Sequence, residues 1–269
     1  MKAYISVDME GLAYVNHWDE VDKSKEDYKY FAEEMTKEVV AVCEAINEKY
    51  TNAEIYVRDA HWEARNIIPD KLPDNVKLIR GWAETPESMV DCLDSTFDCA
   101  IFIGYHIGGH SNKHPLSHTI DSDKISYIKI NGEYVSEFDI YGLICSYYNV
   151  PVIFVSGDEA LCTYINNKYP SISTLSTIKG VGNATISLLS SNNICKQIKE
   201  CVSKRLDVGA FNKMQIPKTT TMEIRFSEHK YAFAMSYYPN AKVVDDYIIS
   251  YTSTNFYDVI KFKYFALKF

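Results

Sequence analysis

The chain has 269 residues, 46% of them hydrophobic, enough for one large domain or two unequal ones around a substantial core. Its formal net charge is -8, with no basic block and no arginine-rich stripe, which argues against a nucleic-acid partner. No apolar stretch is long enough to span a bilayer, and the seven cysteines form no C-x-x-C pair. An odd number of thiols in mostly apolar surroundings reads as buried cysteines in a reducing compartment rather than a disulfide framework. The chain opens on a strand pattern without a signal-peptide pattern, so a cytoplasmic location is expected.

In chain order, Tyr4 to Val7 reads as a buried strand, followed by a loop to about Asp22. Tyr28, Phe31, Met35, Val39, Val42, Ile46 and Tyr50 step by three or four, which predicts a helix from about Lys25 to Tyr50. Ser24 and Asp27 fit a capping box at its start. Strands are predicted over Glu54 to Arg58, Val76 to Arg80 and Cys99 to Gly104, with a short helix at Glu87 to Leu93. Ile125 to Ile130 and Glu133 to Val135 flank Asn131-Gly132, a strong hairpin turn. A helix from about Phe138 to Tyr148 leads into a buried strand, Pro151 to Val155. A long helix, roughly Asn193 to Leu206, follows. After Pro217 come a strand (Thr221 to Phe226), a helix (Glu228 to Met235), a strand (Lys242 to Tyr251) and a last helix (Asn255 to Ala266). Alternating strand and helix predict an α/β fold, a mostly parallel sheet flanked by helices. A metal-binding catalytic domain over 1–180 and a smaller C-terminal α/β subdomain over 181–269, with a soft boundary, are expected.

The acids and histidines fall at strand ends. Asp8 and Glu10 follow the first strand, His61 the second and His106 the strand ending at Gly104. Ligands of open α/β sheets gather beyond the carboxyl ends of strands. Carboxylate and imidazole together are ligand chemistry for zinc or a similar divalent ion. Each group alone has a plainer reading. Asp8 and Glu10, placed by strand alternation on one face, equally suit a salt-bridged acid pair, and a lone histidine at a strand end is more often structural. Their shared sheet edge is what favours a common site. His110, His114 and His118 recur every fourth residue, but Gly108, Gly109 and Pro115 argue against a helix there. The segment reads as an active-site loop, with one or more histidines catalytic and the others solvated. Glu137, ahead of its helix, could reach back to a metal or simply favour the helix N-terminus. Asp158-Glu159 could support the site or cap the next helix, and Glu133 reads as solvent-facing.

Taken together, these segments resemble the D-aminopeptidase (DppA-like) family of binuclear zinc metallopeptidases. The motifs are Ser6-Val7-Asp8-Met9-Glu10-Gly11, Asp59-Ala60-His61 with Asn66, Leu93-Asp94-Ser95-Thr96-Phe97, and Gly104-Tyr105-His106. Leu116-Ser117-His118-Thr119, Ile130 to Glu137, Tyr147 to Pro151 and Gly157-Asp158-Glu159 continue the match. It runs colinearly through residues 1 to about 160 and weakens beyond about 180. The resemblance implies two Zn2+ per subunit held by Asp8, Glu10, His61, His106 and Glu137, with Asp8 bridging. It implies His118 as the catalytic nucleophile or acid–base group, and a ring-like homodecamer with its sites facing an internal cavity. Ser136, Phe138-Asp139, the segment after Gly11 and the loop between His106 and His118, with its extra histidines, depart from the family's pattern, which bears on the substrate pocket rather than the ligands.

The function expected is that of a zinc-dependent aminopeptidase acting on short peptides or aminoacyl amides with N-terminal D-amino acids. A related metal-dependent amidohydrolase on another small substrate is the alternative among enzymes. A metal-bound peptide-binding protein without turnover is the alternative outside them, and His118 argues against it.

Overall fold

The computed structural model describes residues 1–268 and is built round two sheets. The larger contains β1 (Lys2–Val7), β2 (Glu54–Asp59), β3 (Val76–Ile79) and β4 (Cys99–Tyr105). The smaller begins with the hairpin β5 (Ile125–Ile130) and β6 (Glu133–Val135). β7 (Val152–Asp158), β8 (Ser173–Val181) and β9 (Ala184–Ser187) complete the larger sheet, in the order β3-β2-β1-β4-β7-β8-β9. Only β9 runs antiparallel to its neighbour. β10 (Thr220–Phe226), β11 (Lys242–Val243) and β12 (Ile248–Ser253) join the hairpin in an antiparallel sheet, β11-β12-β10-β5-β6. The expected α/β class is therefore observed.

Alternation along β1 divides the core. Ala3, Ile5 and Val7 face one side, where they pack with Met35, Val39 and Val42 of α2 (Tyr28–Lys49), the helix after the short α1 (Trp18–Val21). Ile198 and Val202 of the late helix Ser191–Val208 share this layer. Tyr4 faces the other side with Phe102, Phe138, Ile224 and Phe262. Phe138 belongs to α3 (Glu137–Tyr147), and Phe262 to the final helix, Phe256–Ala266. The smaller sheet thus packs against the α3 side of the larger one. It draws β5 and β6 from before residue 180 and β10 to β12 from after it.

Local details depart from the sequence expectations. α2 begins at Tyr28, and its N-cap Asp27 makes no side-chain cap bond. Asp22 accepts instead from the backbone N–H groups of Ser24 and Lys25, each at 2.9 Å, and holds that stretch as a turn. Of Glu87 to Leu93 only Ser88–Val90 is helical, a single 3-10 turn. Ser88 and Cys92 both take positive φ, which breaks a helix. The hairpin turn is as expected, with Asn131 at φ 51° and Gly132 at φ 85°. The helix Glu159–Lys168 was anticipated only as a segment that Asp158-Glu159 could cap, and the β8–β9 hairpin was not anticipated. All seven cysteines are free, though Cys92 is exposed.

Candidate metal centre

β1 lies between β2 and β4. From β1 the chain crosses to β2 on one side, and from β4 to β7 on the other. The crevice between β1 and β4 is therefore a topological switch point, where open α/β sheets bind ligands. Two glycines permit the close approach there. A Cβ on Gly11 would sit 1.9 Å from the Tyr105 carbonyl oxygen, and one on Gly104 2.2 Å from that of Asp8. Asp8 and Glu10 both point into this crevice, but not by strand alternation. β1 ends at Val7, and a turn follows over residues 9–12, closed by Leu12 N–H to Met9 O at 3.1 Å and tied to β4 by Gly11 N–H to Gly104 O at 2.8 Å.

The structure brings together the six residues to which the resemblance gave roles, Asp8, Glu10, His61, His106, His118 and Glu137. His61 Nδ1 lies 3.1 Å from Asp8 Oδ1 and 3.2 Å from Glu10 Oε2. His106 Nε2 lies 3.7 Å from Asp8 Oδ2 and 3.5 Å from Glu137 Oε1. His118 Nε2 also lies 3.5 Å from Glu137 Oε1, and its ring stacks on His106 with centroids 4.4 Å apart. Three donor clusters result: Asp8–Glu10–His61, Asp8–His106–Glu137 and Glu10–His106–His118. Within each, donor atoms lie within 4.8 Å of one another.

Backbone carbonyls orient the three rings. His61 Nε2 lies 2.9 Å from Val21 O, His106 Nδ1 3.0 Å from Ile107 O, and His118 Nδ1 2.9 Å from Leu116 O. A carbonyl only accepts, so those nitrogens carry protons and the opposite ones face the carboxylates. Lone pairs aimed at carboxylate oxygens need a cation or a proton between them. Glu10 Oε2 and His106 Nε2 are buried without a hydrogen-bond partner. An all-nitrogen and oxygen donor set with such orphans fits a divalent ion of the zinc type.

Neighbouring groups stiffen the set. Asp59 accepts from the Asn66 backbone and side-chain amides and from Ile67 N–H, while Asn66 Nδ2 donates to His61 O at 2.7 Å. Asp158 accepts from Ile107 N–H at 2.6 Å and caps the next helix through Leu161 N–H at 2.9 Å. It thus fills both roles that the sequence left open. Ser136 and Asp139 form a capping box that starts α3 and sets Glu137 in its first turn. Glu137 Oε1 accepts from Ile120 N–H at 2.6 Å. Glu133 is exposed and pairs with Lys168 at 3.0 Å, as expected.

Burial and the neighbouring Glu10 charge raise the Asp8 carboxyl well above the carboxylate range. Burial opposes ionisation of Glu10, but His61, aided by His106 and His118, pulls it well below that range. Burial also opposes protonation of His106, yet Glu137 outweighs it and lifts the imidazole to about 10. The cluster thus stabilises positive charge strongly, which protons or metal ions can supply. Burial and the His106 charge hold His118 below the usual histidine range.

His114 was expected to be solvated but is 2% exposed. Its Nδ1 accepts from Leu116 N–H at 3.1 Å, and burial pushes the imidazole down to about 3. His110 is exposed and stacks on Tyr134. No helix forms through this loop. Asp8, Glu10, His61, His118 and Glu137 line a cavity of about 470 Å3 that opens to solvent. Sequence reasoning gave no signal for the rest of its wall, to which the loops after β2 and β3 contribute.

Fold and site together define an α/β protein with a buried carboxylate–imidazole cluster of metal-binding type at its sheet's carboxyl edge. A family model described as D-aminopeptidase, peptidase M55, matches residues 1–264. The chain belongs to that family. It is 32% identical over 191 residues to a D-aminopeptidase of Bacillus subtilis (strain 168), covering 71% of this chain and 68% of that protein. Its fold is similar to the solved structure of the Zn-dependent D-aminopeptidase DppA from Bacillus subtilis, described as a self-compartmentalizing protease. That match has a TM-score of 0.90 at 24% identity, over 99% of this chain and 96% of the other. Among the described residues, no helix is long and apolar enough to cross a membrane.

Proposed function

We propose that this chain is a zinc-dependent D-aminopeptidase whose ligands are Asp8, Glu10, His61, His106 and Glu137. The observation that carries this reading is Asp8, which shows one carboxylate oxygen to His61 and the other to His106. One carboxylate between two donor sets suits two ions, one with Glu10 and His61 and one with His106 and Glu137. Zinc held by these residues would supply Lewis-acid polarisation of a carbonyl and would lower the pKa of water to about 7.

The chain's own residues do the rest. Burial and the His106 charge hold His118 below the usual histidine range, and it borders the cavity and keeps Nε2 toward the cluster. It therefore moves a proton at the scissile amide or stabilises the developing oxyanion. Trp18 packs edge-on against it, with centroids 5.3 Å apart, and limits its rotation. Asp121 and Asp123 at the cavity rim give a negative field that favours the cationic amino terminus of a peptide.

Assembly into a closed homo-oligomer, a decamer by family resemblance, follows from the same reading. Phe233, Tyr237, Val243 and Val244 offer exposed apolar surface near the edge strand β11 for such contacts. The test is hydrolysis of D- and L-aminoacyl amides by zinc-loaded protein. D-amides should be cleaved and L-amides should not. Loss of that discrimination would reassign the chain to another amide hydrolase.

A further inference from the structure

The chain has three tryptophans, Trp18, Trp62 and Trp82, and all three stand round the cavity that opens onto the carboxylate–imidazole cluster. They come from three separate segments: the short helix Trp18–Val21, the loop after β2 and the loop after β3. Trp62 is 55% exposed and Trp82 37% exposed. Large apolar side chains left facing water in one concave place mark a binding surface.

The Trp82 indole and the Trp62 backbone are also held in position. Trp82 lies over the buried Arg58 guanidinium, 4.3 Å from its ring centroid, and donates Nε1–H to Trp62 O at 2.8 Å. Trp62 takes φ 48°, a backbone region that bulky residues rarely adopt. Its ring lies 6.1 Å from His61, while Trp18 lies 5.3 Å from His118. The wall therefore stands beside both ends of the site where the amide reacts. A side chain next to the scissile bond has to meet it.

We propose that these tryptophans form a specificity wall, which selects peptides carrying an aromatic or bulky apolar side chain next to the scissile bond over alanyl substrates. This rests on the aminopeptidase reading above. An aromatic side chain buries its own faces and those of the indoles, and the rings favour offset or edge-on packing. A methyl group leaves most of the indole surface in water. Rigid rings lose little conformational freedom on binding, so the wall discriminates without reordering.

The experiment compares D-phenylalanine amide with D-alanine amide on the zinc-loaded protein, by turnover and by intrinsic fluorescence. Every tryptophan lies at this cavity, so the emission reports on it directly. The expected kcat/KM ratio is about tenfold or more in favour of the aromatic amide, carried mainly by KM. Trp62→Ser and Trp82→Ser, tested separately, should each bring the ratio toward unity. Turnover with no preference, or with alanine preferred, overturns the wall but leaves the aminopeptidase reading standing. Absence of turnover on either amide overturns that reading. Fluorescence then decides the wall: saturation at lower concentrations of the aromatic amide supports it, and equal or absent responses overturn it. Variants that alter the oligomeric state but leave the ratio intact also overturn it.

Discussion

Asp8 turns Oδ1 toward His61 Nδ1 at 3.1 Å and Oδ2 toward His106 Nε2 at 3.7 Å. One side chain thus joins two donor sets that sit beyond two different strands, on either side of β1. Without a cation this packs three acids into a buried place, where their mutual repulsion and desolvation oppose folding. Metal bound only by the folded chain stabilises it by mass action. Chelation should therefore abolish turnover and lower Tm by several degrees, about 1 to 3 kcal/mol at zinc concentrations up to about a hundredfold above Kd. Differential scanning fluorimetry with and without added zinc checks this, and zinc should restore both properties.

His118→Ala should keep the zinc and the assembly but lose about a hundred- to ten-thousand-fold in kcat. Turnover and metal analysis on the same preparation separate this from ligand loss. His114→Ala should act differently, because His114 is buried and packs the loop. Its expected effect is a loss of about 1 to 3 kcal/mol of stability, read as a lower Tm, with turnover much less affected.

Asp59 organises the loop that carries His61 by accepting from three N–H groups of Asn66 and Ile67. Asp59→Asn keeps the shape but places an amide where an acceptor is needed. Changes of this kind next to a ligand typically cost about 10- to 100-fold in metal affinity or activity. Zinc titration against a competing chelator should show a loss of that size.

Burial lifts the Glu38 carboxyl from its ordinary 4.5 to about 8, against the opposing bond from Ala13 N–H. Between those values the folded chain holds a proton that the unfolded chain has lost. The contribution to stability is thus full below about pH 4.5 and is lost as pH rises through about 8. Glu38→Gln should flatten this slope, read as urea midpoints across that range. An unchanged slope would show that Glu38 ionises in the folded chain much as it does in the unfolded one.

Much of the site was legible because apolar runs mark where strands stop. Asp8, Glu10, His61 and His106 follow such runs directly, and periodicity alone put them on one sheet edge. Glu137 was raised as a possible metal ligand and the loop histidines as possible catalytic groups, but only family resemblance chose His118 among them and Glu137 over a helix-terminus role, since no repeat governs the path of the chain there. The tryptophan wall gave no signal because its members lie in three segments brought together by the order of β1, β2 and β3. Pairing of β5 with β10 was equally hidden: pattern shows that a segment is a strand, but not its partner more than ninety residues away. β8 escaped notice because its serines and threonines dilute the apolar alternation on which a strand reading rests.

Zinc content per chain tests the central claim most directly, measured on wild type and Asp8→Ala purified without chelator. The account predicts about two zinc ions per wild-type chain and close to none in folded Asp8→Ala, since on the proposed assignment Asp8 would belong to both donor sets. Circular dichroism confirms that the variant keeps its fold. Wild-type protein that takes up no zinc even after reconstitution, or an Asp8→Ala protein with wild-type zinc and turnover, would contradict it.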